Sequence, residues 1–92
     1  MTANTLEPQT KSKLDVLPPW NIILWNDEIN PIEFIVEKVA EIATLTKENA
    51  EIKAVEAHKE GKSLLLTTHK EKAELIIEQF ESYKITVTME KA

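Results

Sequence analysis

The 92-residue chain contains no cysteine and no arginine, has a single glycine, and keeps aromatic residues to 5%. Without cysteine there is no disulfide framework, zinc-thiolate site, iron–sulfur cluster or thiol nucleophile, a pattern that fits a reducing compartment. Without arginine, all eleven basic residues are lysine, and against sixteen acidic ones they leave 11 − 16 = −5. The bidentate fork that suits phosphate is missing and the net charge is of the wrong sign, so nucleic acid is not an expected partner. Long apolar runs are also lacking. Ile22-Ile23-Leu24 and Leu64-Leu65-Leu66 fall far short of the roughly 20 residues that cross a bilayer. The N-terminal stretch carries Glu7 and no apolar segment of the secretory kind, so the chain reads as soluble and intracellular, with no membrane partner.

What is present is a globular composition, 42% apolar and 29% charged, in a length that supports one core. Residues 1–17 mix Thr, Asn, Gln, Lys and Glu around Pro8 with neither helical nor strand period, and read as a flexible extension. Pro18-Pro19 opens the domain, which is expected over 18–92. Trp20 to Trp25 is short, apolar and aromatic-flanked, a buried strand. Asn30-Pro31 with Glu33 reads as a helix start in which asparagine caps, proline fills the first turn and glutamate reaches back. Ile32, Ile35, Val36, Val39, Ile42 and Ala43 then recur at helical spacing.

Thr46 caps a second helix over Lys47–Glu60, whose end falls at Gly61, where a left-handed residue is needed. A strand over Ser63–Thr67, a helix over Lys70–Tyr83 with Ala73, Ile76, Ile77 and Phe80 inward, and an alternating strand over Ile85–Met89 complete the order β-α-α-β-α-β. An α+β domain follows, with a three-stranded antiparallel sheet packed against three helices.

Enzymatic constellations are scarce. The serines at 12, 63 and 82 lie outside any nucleophile motif, and His58 and His69 share no metal-ligand spacing. Neither a catalytic residue, a metal site nor a cofactor is expected. Asn26-Asp27 suits a turn, because both side chains mimic backbone acceptors. His58 suits the last turn of a helix, where the dipole favours it. Their spacing leaves open whether the two places meet.

The run Leu24-Trp25-Asn26-Asp27-Glu28-Ile29-Asn30-Pro31-Ile32-Glu33-Phe34-Ile35 is similar to the signature of the ClpS family, small adaptors that recognise N-terminal degradation signals and deliver proteins to Clp-type AAA+ proteases. Ala57-His58-Lys59-Glu60-Gly61-Lys62 resembles that family's histidine-bearing helix end, and Thr88-Met89-Glu90-Lys91-Ala92 its usual C-terminus. The resemblance covers about Pro19 to the end. It implies that Asn26, Asp27 and His58 hold the free α-amino group of another protein, and that Ile32, Ile35, Ala54, Ala57 and Ile85 surround its first side chain. Such an ammonium needs acceptors, which an amide carbonyl, a carboxylate and a neutral imidazole supply.

Charge-assisted bonds and burial of one large apolar side chain each contribute roughly 1.5–3 kcal/mol, and after association entropy they point to an affinity on the order of micromolar. Ile32, stiff at χ1, would reject ligands branched close to the backbone, while Ala54 and Ala57 stand where many relatives carry larger residues and imply a wider pocket. The resemblance also implies docking on the N-terminal domain of a Clp AAA+ unfoldase through Glu71. It places Ile76 where a lysine is expected, five residues after Glu71, and implies that the extension over 1–17 takes part in handing over cargo. A bacterial cytoplasm, or a plastid, is the implied compartment. Two alternatives stand beside this reading. One is an interaction domain of ribosomal-stalk-like topology with no α-amino pocket; the other is a small hydrolase using His58 and Asp27, for which no nucleophile is placed.

Overall fold

The computed structural model describes residues 17–92. Its elements are β1 (Pro19–Trp25), α1 (Ile32–Ile42), α2 (Lys47–Glu60), β2 (Lys62–His69), α3 (Lys70–Ser82) and β3 (Val87–Lys91). The strands form one antiparallel sheet in the order β2-β1-β3. This is the α+β architecture read from the sequence. The extension expected over 1–17 lies, Leu17 excepted, outside the described residues.

The central strand β1 buries Ile22 and Leu24 to about 1% or less, and they join Val39, Phe80 and Ile85 in the core. On α2 the buried stripe is Ala50, Ala54 and Ala57, spaced i, i+4, i+7, so one helical face meets the core through methyl groups alone. Larger residues on α2 stay outside, with Ile52 61% exposed.

Three helix ends show how the chain turns. Gly61 takes φ 96°, and its N–H donates to the Ala57 carbonyl at 2.9 Å. Thr44 and Lys84 adopt the same left-handed region at φ 58° and 63° without being glycine. After α3, the Ile85 N–H donates to the Phe80 carbonyl (3.1 Å) and the Lys84 N–H to the Glu81 carbonyl (2.9 Å). That is the paired closure of a Schellman motif, with buried Ile85 packing where the motif places an apolar residue. Ile85 therefore belongs to the helix stop and not to the strand expected from Ile85 onward; β3 begins two residues later.

The start of α1 also differs from the expectation. Pro31, extended at φ −62° and ψ 146°, occupies the N-cap position, and no side chain caps the helix. Asn30 is engaged elsewhere: its side-chain amide donates to Asp27 Oδ2 (2.7 Å) and to the Lys84 carbonyl (3.1 Å). Thr46, by contrast, caps α2 as anticipated, its hydroxyl accepting from the Asn49 N–H at 3.1 Å.

Candidate functional site

Gly61 is the only residue between α2 and β2, and β2 runs antiparallel to β1 with Trp25 opposite Lys62. The last turn of α2 is thereby carried to the end of β1. The ladder continues one step past the strands, where the Asn26 N–H donates to the Gly61 carbonyl at 2.9 Å. His58, three residues before Gly61, must then stand beside Asn26. Between these ends, with α1 as the third wall, lies a cavity of about 300 Å³.

Seven of the residues expected at the site line it. Asn26, Asp27 and His58 contribute polar groups, and Ile32, Ile35, Ala54 and Ala57 contribute apolar wall. Ile85 does not. It is 1% exposed within the core, for the reason given by the stop of α3, and it is withdrawn from the expected wall. Leu24, Trp25, Glu28 and Asn30 line the cavity as well and were missed. Their signal is adjacency, since each flanks Asn26-Asp27 in the chain.

Asp27 organises the loop. Its Oδ1 accepts from the Ile29 N–H (2.7 Å) and the Asn30 N–H (2.9 Å), and its Oδ2 from the Asn30 side chain. Burial pushes the carboxyl up, but the three bonds to Asn30 and Ile29 outweigh it and hold the group below its ordinary value. It is a fixed anion at neutral pH. Asn26 differs. Its side-chain N–H donates to Glu28 Oε2 at 2.8 Å, whereas its Oδ1 is buried and has no hydrogen-bond partner among the described residues. An acceptor left in this state costs free energy that an incoming donor would recover.

Trp25 closes one side. As strand alternation predicts, it points away from the face of Leu24: its Nε1–H donates to Thr88 Oγ1 at 2.7 Å, and Thr88 pairs with Ile23. Lys62 Nζ sits 5.5 Å from the ring centre, and the residue is 38% exposed. Away from the cavity, Glu71 lies in the first turn of α3, beside a shallow depression shared with His69 and Leu75. Ile76 is 3% exposed and belongs to the core, so the position where a docking lysine was expected faces inward. Among the described residues no cluster of three or more His, Asp or Glu could hold a metal ion, and no helix is long and apolar enough to cross a membrane.

A small α+β domain with a cavity that is acidic and amide-lined at one end and aliphatic at the other is the class that fold and site define. The family described as ATP-dependent Clp protease adaptor protein ClpS matches residues 16–88, and the chain belongs to that family. It is 32% identical to the ATP-dependent Clp protease adapter protein ClpS of Synechococcus elongatus, over 98% of this chain and 97% of that one. It is 36% identical to the Neisseria gonorrhoeae protein of the same name, over 70% and 64%. Among solved structures, Agrobacterium tumefaciens ClpS2 bound to L-phenylalaninamide superposes with a TM-score of 0.77 at 18% identity, covering 82% of this chain and 98% of the other; at that identity the match speaks for the fold. With the family established, the role is that of an adaptor for a Clp protease.

Proposed function

We propose that the cavity binds the first residue of a protein bearing a bulky hydrophobic N-terminus, and that the chain delivers this cargo to a Clp AAA+ unfoldase. The observation that carries the reading is the buried Asn26 Oδ1, without a hydrogen-bond partner among the described residues, in the same cavity as the anionic Asp27, His58 and an aliphatic wall. A cationic donor and a greasy group joined at one carbon answer all of these features at once. An α-ammonium donates three bonds; a ring nitrogen of His58 accepts one directly or through water, Asn26 another, and Asp27 supplies the opposite charge. Ile32, Ile35, Ala54 and Ala57 receive the side chain.

The ligand of the Agrobacterium relative supports the reading, because L-phenylalaninamide presents a free amine and a benzyl group, as an N-terminal phenylalanine does. Docking on the unfoldase's N-terminal domain is assigned to Glu71, which shares no residue with the cavity. Residues 1–17 would take part in the handover, and the setting is a bacterial cytoplasm. The test is a labelled peptide beginning with Phe against its N-acetylated twin. Micromolar binding of the free amine and none of the twin is expected; equal binding of both discards the proposal.

A further inference from the structure

Residues 26–31 join β1 to α1, and Asn26, Asp27, Glu28 and Asn30 among them line the cavity. The loop is bonded largely to itself. Asn26 donates to Glu28 at 2.8 Å, and the Asp27 carboxylate accepts from Ile29 and twice from Asn30. Its two ends are fixed, by the Asn26 N–H on the Gly61 carbonyl and by the Phe34 and Ile35 N–H groups of α1 on the Pro31 carbonyl. Between those ends, among the described residues, a single hydrogen bond leaves the loop. The Asn30 amide donates to the Lys84 carbonyl at 3.1 Å, across 54 residues of chain, and the same nitrogen donates to Asp27 Oδ2 at 2.7 Å. Ile29 beside it is 91% exposed and gives the loop no apolar anchor.

The receiving carbonyl is itself held. Lys84 is left-handed at φ 63°, a conformation unfavourable to any residue with a Cβ, in the turn that closes α3. Its N–H donates to the Glu81 carbonyl, and the next residue, Ile85, is buried in the core. Bonds within a loop fix its shape; a bond to the body fixes its place relative to α2, which carries His58. We propose that Asn30 is a positioning residue for the amine end of the site: by donating at once to Asp27 and to the Lys84 carbonyl, its amide nitrogen sets the carboxylate in place beside Asn26 and His58 before cargo arrives. This rests on the reading of the cavity as an α-amino site. Chemistry singles out the residue type. An asparagine amide carries two hydrogens on one atom, whereas a serine or threonine hydroxyl carries one and an ionised aspartate none. Burial raises the Asp27 carboxyl, and the Asn30 side chain is the largest of the bonds that lower it, so the carboxylate responds to this contact. A side chain ordered in advance spares binding a cost of about two- to tenfold in affinity.

The test uses the full chain and the variants Asn30→Ala, Asn30→Thr and Lys84→Gly, each checked by thermal unfolding. Phe-first and Leu-first peptides and their acetylated twins are read by fluorescence polarisation. Asn30→Ala should bind both free-amine peptides about two- to tenfold more weakly and by the same factor, because the aliphatic wall is untouched. Asn30→Thr, with one donor left, should fall between, and it carries the same comparisons should Asn30→Ala unfold. Lys84→Gly keeps the carbonyl and should bind as the wild type does. Carboxyl NMR of the ligand-free proteins separates positioning from direct contact of Asn30 with cargo: without the Asn30 bond, Asp27 should titrate at higher pH than in the wild type. Glu28 and His58, the other ionisable groups of the cavity, are unaltered in these variants. Wild-type affinity in folded Asn30→Ala, a loss confined to one first residue, an unmoved Asp27 titration, or an equal loss in Lys84→Gly overturns the assignment. If the wild-type protein fails to tell the free amine from its twin, the α-amino reading falls, and the positioning role with it.

Discussion

Replacing Asp27 by alanine takes away the acceptor of three N–H groups in one stroke, so both the loop and the proposed ligand charge suffer. The expected result is a stability loss of about 1–3 kcal/mol, the range for bonds to a charged group in a half-exposed site, measured by urea unfolding, with peptide affinity at least about tenfold lower. The carboxyl's lowered folded pKa sets the sign of its pH dependence. The stabilisation it supplies is full above the ordinary carboxylate value and is lost as pH falls through the depressed folded one. The wild-type protein should thus lose more stability below about pH 4 than the alanine variant does; parallel profiles would refute the assignment. Ala57, 2% exposed and on the cavity wall, is the place to alter preference. Ala57→Val adds two methyl groups to the pocket, and crowding costs of about 1–3 kcal/mol should fall on a Trp-first peptide and largely spare a Leu-first one. A uniform loss across both ligands would mean that the wall does not set the choice.

Helix endings are where this chain departs most from what local rules would choose. Among the described residues three left-handed positions are occupied, and of these Gly61 alone is glycine. Thr44, β-branched at φ 58°, carries a cost of roughly 1–2 kcal/mol that glycine would avoid. Thr44→Gly should therefore raise the unfolding midpoint, offset in part by glycine's greater unfolded-state entropy. Gly61→Ala should lower the stability by about 1 kcal/mol, wholly through the backbone, since an added Cβ meets nothing within 4 Å. Differential scanning calorimetry of the two variants decides both; a destabilised Thr44→Gly protein would contradict the account. The same endings explain what was legible in the sequence. Thr46 and Gly61 could be read because each acts on its own helix. Asn30 could not, because its amide is taken by Asp27 and by the distant Lys84 carbonyl. Ile85 mimicked a strand residue because Ile85, Val87 and Met89 alternate, although the turn after α3 claims it.

Across the whole molecule the order of elements followed from periodicity, but the meeting of His58 with Asn26 did not. It depends on strand register between segments almost forty residues apart, sealed by the Asn26 to Gly61 bond, and pattern within a window carries no information about that. The family resemblance supplied the missing link: seven of the eight residues it implied line one cavity, whereas Ile85 is buried in the core, which only coordinates could reveal. One consequence concerns time. With the Asp27 loop already latched by its own amides, capture needs no folding of the receptor, so encounter should proceed at about 10⁵–10⁷ M⁻¹s⁻¹ whichever first residue arrives. Stopped-flow mixing should then find favoured and disfavoured chain ends alike in arrival and unlike in departure, so that cargo is sorted by how long it lingers.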